Sequence, residues 1–197
     1  MKTLAIMLLT LTTSLTAVAQ NKPMSEMYKI ETSSSVKWVG KKITGEHSGN
    51  VAIKDGSLTF TGEVLTAGVL NVDMNTITVT DIPASDEMNG KLVGHLKSPD
   101  FFNVQKYPDA KIVIISSEKS KNGLKVKGNL TFIGQTNPIE FDAVVSKTAK
   151  SAILKSDVKI DRTIWGLKYG SDSFFKGLGD KAINNEFLLS VELTAKK

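Results

Sequence analysis

Leu124-Lys125-Val126-Lys127-Gly128-Asn129-Leu130-Thr131-Phe132 decides how the chain is to be read. Apolar side chains fall at 124, 126, 130 and 132, polar ones at 125, 127, 129 and 131. Successive side chains of a strand point to opposite faces, so this period of two buries one face and wets the other. A helix would scatter the same residues around its circumference.

The pattern repeats on both sides. Val36 and Trp38 flank Lys37, and Leu58, Phe60, Gly62 and Val64 alternate with polar neighbours. Gly68, Leu70, Val72 and Met74 follow, then Ile139, Phe141, Ala143 and Val145, then Phe187, Leu189, Val191 and Leu193. The segments Lys54-Asp55-Gly56, Lys121-Asn122-Gly123 and Gly134-Gln135-Thr136-Asn137-Pro138 have the chemistry of tight turns. Runs of about ten residues make strands near 33 Å long. As an open sheet they would expose long edges, which closure removes. The expectation is an all-β fold, an extended antiparallel barrel of about eight strands with one short helix. That helix is predicted after Ser85, which can cap it. Asp86 and Glu87 fall in its first turn, Met88, Leu92, Val93 and Leu96 at helical spacing, and Ser98-Pro99 at its end. It is expected over the wall or one mouth. The Gly- and aromatic-rich stretch 166–185 is irregular, and a loop of that length in a compact domain is often functional.

The N-terminus has a different character. Met1-Lys2-Thr3, an uncharged run from Leu4 to Leu15 and Ala17-Val18-Ala19 match a secretory signal peptide, shorter than the roughly 20 apolar residues of a bilayer span. Residues 1–19 are therefore read as signal peptide and residues 20–197 as one domain, which places the protein in the periplasm or outside the cell if the source is bacterial. The 197 residues contain no Cys, which excludes disulfides, thiolate nucleophiles and Cys-ligated metals.

Of the 25 basic residues, Arg162 is the one arginine. Leu154, Ser156, Val158 and Ile160 share the inward phase, and continuing the count places Arg162 inside. A planar guanidinium suits a carboxylate, a phosphate or an aromatic face, and it serves equally as an internal structural partner. His47 is in phase with Gly49, Val51 and Ile53, Trp38 with Val36, and His95 lies on the apolar side of the predicted helix. Each alone reads as a satisfied core or lid residue. Together, an apolar interior with a few fixed polar groups has the composition of a ligand pocket.

Catalytic patterns are weak. The two His lie 48 positions apart with no third ligand at metal spacing, and no G-x-S-x-G elbow or phosphate-binding Gly loop is present. Glu63, Asp73, Glu140 and Asp142 fall in the outward phase of their strands, where solvation explains them. Residues 111–159 carry nine Lys against four acids, a basic side suited to anionic headgroups or simply to water. Nucleic acid does not fit an exported chain without an aromatic-basic motif. The long strands leave room for a homodimer, which no residue pattern demonstrates.

Several segments resemble the YceI-like polyisoprenoid-binding family: Trp38-Val39-Gly40-Lys41-Lys42, Gly45-Glu46-His47-Ser48-Gly49, Asn71-Val72-Asp73-Met74, and above all His95-Leu96-Lys97-Ser98-Pro99-Asp100-Phe101-Phe102-Asn103-Val104 with Tyr107-Pro108. Gly128 to Gly134 and Asp161-Arg162-Thr163-Ile164-Trp165-Gly166 extend the match, so that it covers about residues 27 to 195. The resemblance implies a lipocalin-like barrel that holds an isoprenoid lipid, a quinone or polyprenyl phosphate, and performs no catalysis with no other cofactor and no metal. Arg162 and His47 would then make polar contacts and His95 would sit at the lid. Trp38, Phe101, Phe102 and Trp165 would be cavity or mouth aromatics, Phe101-Phe102 serving equally as a hydrophobic plug. Many relatives carry an Arg-Asp pair before the His-Leu motif. Here Lys91-Leu92-Val93-Gly94 precedes His95, which favours a neutral quinone-like head over a pyrophosphate. The competing reading is a stress-response or interaction protein whose barrel is filled by its own side chains.

Overall fold

A computed structural model of the chain describes residues 24–197. The signal-peptide reading of residues 1–19 lies outside them. Among the described residues nine strands and one α-helix follow in order: β1 Ser25–Ile30, β2 Ser35–Lys42, β3 Gly45–Thr61, β4 Val64–Asp73, α1 Glu87–Lys97, β5 Asp109–Ser120, β6 Gly123–Phe132, β7 Gln135–Lys147, β8 Ser151–Asp161 and β9 Ile183–Lys196. From β2 to β9 each strand pairs antiparallel with the next, and β9 returns to β2. The short β1 pairs with the far half of β3 and the end of β9, so that β1 and β2 together fill one position of an eight-position closed barrel.

The inward phase agrees with the period-two reading: Leu124, Val126, Leu130 and Phe132 of β6 and Leu154, Ser156, Val158 and Ile160 of β8 are all buried. Three turn assignments change. Lys54-Asp55-Gly56 is a bulge inside the 17-residue β3, where the register with β4 shifts between Ile53 and Asp55. Gly56 serves a close strand approach there, since a Cβ would meet the Val69 carbonyl oxygen at 2.6 Å. The chain reverses instead at Gly62-Glu63, within the run read as one continuous strand, with Gly62 at φ 62°. The β6–β7 turn is Ile133-Gly134, both at positive φ, and Asn137 and Pro138 belong to β7.

One end of the barrel is sealed. Tyr28 and Phe60, both fully buried, meet edge to face at 5.8 Å between centroids, and Leu58, Leu65, Ala152 and Ala195 fill in around them. The Tyr28 hydroxyl donates to the Thr148 carbonyl at 2.9 Å. Glu26 accepts from Lys147 at 2.9 Å and from Lys197 at 2.6 Å, joining β1, β7 and the C-terminus. These hydrogen bonds, that from Lys147 first, hold the Glu26 carboxyl at about 2 instead of its ordinary 4.5.

The other end carries α1 and the 166–182 loop. The N-cap of α1 is Asp86, one residue after the expected Ser85; its carboxylate accepts from the Met88 N–H at 2.9 Å. Leu92, Val93 and Leu96 pack against Trp38, Ile77 and Val79, whereas Met88, read from its spacing as part of that apolar face, is exposed.

A candidate functional site at the open end of the barrel

The strands that build the open end carry their side chains inward in the order the alternation dictates. On β2 and β3, Trp38 stands opposite Gly49 and His47 opposite Gly40. The Trp38 indole N–H donates to the Thr78 carbonyl at 3.1 Å, tying β2 to the extended segment that follows β4. That segment lies along β3, Thr78 and Thr80 donating their N–H groups to the Asn50 and Ser48 carbonyls.

A cavity of about 550 Å³ lies beneath α1 and the 166–182 loop. Trp38, His47, His95, Phe101, Phe102 and Arg162 all line it, so six of the seven residues singled out from the sequence converge on one space. Trp165 does not line it. Its ring is buried in the main core against Phe132, and its indole N–H donates to the Leu130 carbonyl at 3.0 Å. The role of cavity or mouth aromatic is therefore corrected to that of a core anchor, because the 3₁₀ turn Arg162–Trp165 directs the ring inward below the loop. Tyr169, Ile183, Phe187 and Lys181 also line the cavity. Phe187 was legible in the inward phase of β9; Tyr169 sits in an irregular loop where no periodicity signals a side chain's direction.

Three groups set the chemistry of the mouth. His47 Nδ1 lies 2.8 Å from Asp81 Oδ2. Burial alone would raise the Asp81 carboxyl, and the hydrogen bonds from the Ser48 N–H and from His47 outweigh it and hold it below its usual range. His95 meets Tyr169 and Phe101 edge to face, with centroids 4.7 and 5.7 Å away, and Phe101 meets Phe102 in the same way at 4.9 Å. This aromatic group floors the lid. Phe101 and Phe102 are both half-buried cavity walls and the plug beneath α1, which unites the two roles the sequence left open.

Arg162 is 2% exposed and, among the described residues, makes no ion pair. Nε donates to the Asn184 carbonyl at 3.0 Å, Nη1 to Leu167 and Tyr169 at 2.9 and 2.8 Å, and Nη2 to Ile183 at 2.9 Å. Four of its five N–H donors thus bind main-chain carbonyls, fastening the start of the 166–182 loop to the start of β9. Burial pushes the guanidinium below its ordinary value, opposed by Asp161 and Asp172. Its face lies 6.0 Å from the Phe101 ring centroid. The residue faces the cavity as a clamp that shapes the mouth.

Below the mouth the lining becomes almost wholly apolar, Ser156 being its one hydroxyl-bearing residue. A space of about 90 Å³ shares Trp38, Phe102 and Phe187 with the mouth cavity. A third, of about 40 Å³, shares Leu70, Leu130 and Leu189 with the second and reaches toward Leu193. A single apolar path therefore descends from the mouth along the barrel axis.

Comparison with known proteins follows the same lines. Protein YceI of Escherichia coli O17:K52:H18 and Protein YceI of Salmonella arizonae are each 35% identical over 89 residues, 45% of this chain and 44% of theirs. The chain thus matches less than half the length of these relatives. Among solved structures, Burkholderia cenocepacia BcnA superposes with a TM-score of 0.62 at 17% identity, over 84% of this chain and 99% of that one. A polyisoprenoid binding domain from Saccharophagus degradans implicated in plant cell wall breakdown gives 0.62 at 15% identity, over 86% and 97%. At such identities the likeness speaks for the barrel fold. The YceI-like domain model matches residues 28–195, nearly all of the barrel, and the chain belongs to that family.

Proposed function

We propose that this protein is an exported, non-catalytic carrier that sequesters an isoprenoid lipid, tail inward along the barrel axis and head beneath α1. The observation that carries this reading is the polarity gradient: titratable and aromatic groups ring the mouth, and the path below it is lined by hydrocarbon apart from Ser156. Each buried CH₂ of a prenyl tail stabilises the complex by roughly 0.8 kcal/mol before ordering costs. The tail therefore supplies affinity, and the mouth selects the head. With most of its donors held by carbonyls, Arg162 has little left for a phosphate, while the aromatic group of His95, Phe101 and Tyr169 suits a flat ring. A quinone-like head is the better fit. The family membership and the polyisoprenoid-binding neighbour support the ligand class.

The same end suits an anionic membrane surface. Phe174 and Phe175, each about half exposed, project from the loop that rims the cavity and Ile43 from the β2–β3 turn; Lys168 lies over the Phe174 ring at 4.7 Å, and Lys42, Lys176 and Lys181 are exposed on the same turn and loop. Cationic and aromatic groups together fit a headgroup layer. This rim, more than the lysine-rich hairpins of residues 111–159, is the proposed docking face. Flotation with vesicles containing anionic lipid checks it: replacing both Phe174 and Phe175 by Ser should abolish co-flotation.

One observation favours a barrel filled by its own side chains, namely the small size of the two inner spaces. Organic extraction of the protein purified from its native host, followed by mass spectrometry, separates the readings. A co-purifying prenyl lipid supports the carrier. No lipid, together with no uptake of a fluorescent prenyl analogue, overturns it.

A further inference from the structure

Between β7 and β8 the barrel wall has a long open seam, longer than the gap between β4 and β5, whose ladder stops at Gly68–Ile114 and where the Leu65 N–H donates to the Ser117 hydroxyl at 3.1 Å. Among the described residues β7 and β8 pair only over Val144–Lys147 with Ala152–Lys155. Beyond that point β7 continues beside β6 and β8 beside β9, with no ladder between them. The single bond across the upper seam within the strands runs from the Ser156 hydroxyl to the Asp142 carbonyl, at 2.6 Å. Because that carbonyl faces β8, alternation along the strand turns the main chain of Thr136, Pro138 and Glu140 the same way. Proline is confined to edge positions of sheets, and Pro138 lies on this edge, where its missing N–H withholds nothing from the β6 ladder. Toward the mouth the seam ends where the Asn137 side-chain amide donates to the Ile164 carbonyl at 3.3 Å. Between the two ties it runs for about five residues, roughly 17 Å.

Side chains confirm that the wall is thin here. Ile139 and Phe141 hold inward-phase positions yet are only half buried, in contrast to the fully buried Val126 beside Phe141 on β6. Outside the seam lies a groove of about 430 Å³, walled by Asp142, Val144, Lys155, Asp157 and Glu192. Ser156 and Val191 line both this groove and the innermost apolar space. The inner spaces, of about 90 and 40 Å³, are narrow beside the mouth cavity of about 550 Å³. A long tail needs more room than these spaces give; where two strands are fully laddered, making that room breaks main-chain bonds, whereas along this seam the Ser156–Asp142 bond is the tie to be broken.

Resting on the carrier reading, we propose that the β7–β8 seam is the expansion joint of the barrel, which parts at Ser156–Asp142 to admit the distal isoprene units of a long-chain lipid. Short chains are accommodated by the mouth cavity without it.

The absence of cysteine makes the test clean. Continuing the Val144↔Lys155 register places Glu140 opposite Lys159, both exposed. Glu140→Cys/Lys159→Cys is stapled by oxidation, or by a bis-methanethiosulfonate linker where the thiols are too far apart, and either staple is released by dithiothreitol. Binding of C10 and C40 quinone analogues is then compared. The stapled protein should bind the C10 analogue as before and lose at least tenfold in affinity or uptake rate for C40, with recovery on reduction. Equal C40 binding with and without the staple overturns the seam while leaving the carrier reading intact. Failure of the unstapled protein to bind either analogue overturns the carrier reading and the seam with it. Hydrogen exchange gives a second measure on the natural sequence: the Glu140 amide should exchange much faster than the β8–β9 ladder without lipid and slow when C40 is bound. Ladder-like protection without lipid overturns the seam.

Discussion

Trp38 and Gly49 face each other across the β2–β3 ladder, and the indole occupies the space a side chain at 49 would need. A Cβ on Gly49 would lie 2.8 Å from the Trp38 ring and 1.7 Å from the Thr78 carbonyl oxygen, which accepts the indole N–H. The wall of the mouth cavity is thus built on an absent side chain. Gly49→Ala should cost at least about 2 kcal/mol of stability, since backbone and ring must both move. It should also weaken binding of any ligand that uses the mouth. Denaturant titration and ligand titration of one variant check the two effects, and unchanged stability would contradict the packing described.

Arg162→Lys keeps the charge and loses the fork. One ammonium cannot reach four carbonyls spread over residues 167–184, and those left unpaired at a buried site are expensive. A loss of about 3 kcal/mol is expected, with faster hydrogen exchange across residues 166–183. A variant of unchanged stability that binds lipid poorly would instead assign Arg162 to the head group.

The two tryptophans separate cleanly. Trp38 lines the mouth and the middle space, and Trp165 is buried outside both. Trp165→Phe should cost about 1–2 kcal/mol through the lost bond to the Leu130 carbonyl, while lipid still changes the fluorescence of Trp38. Trp38→Phe should abolish the lipid-dependent signal. The opposite pattern would move the ligand away from the mouth.

Glu26 links acid to the sealed end. With its folded value at about 2 against an ordinary 4.5, its contribution to stability is full above pH 4.5 and is lost as pH falls toward 2. Melting temperatures of the natural protein and Glu26→Gln should therefore differ at neutral pH and converge near pH 2. Parallel curves across that range would show that the Lys147 and Lys197 contacts do not persist in solution.

Alternation by itself determined most of the fold, because one buried face per strand imposes a period of two that can be read without knowing any neighbour. It also determined which strand residues point inward, and hence that Trp38 and His47 meet a common interior; the Phe101–Phe102 pair, outside any strand, was placed there only by the family resemblance. Tertiary structure decided what lies between such residues. The glycine at 56 belongs to a bulge because a particular neighbouring carbonyl approaches it, and Trp165 is core because the turn after β8 aims it below the loop. Arg162 is a clamp because four carbonyls from a segment without periodicity converge on its guanidinium. The seam between β7 and β8 depends on where two ladders diverge, and the alternation is the same whether the neighbouring strand is bonded or parted. Local pattern reports the direction of a side chain; only the folded chain shows what that side chain meets.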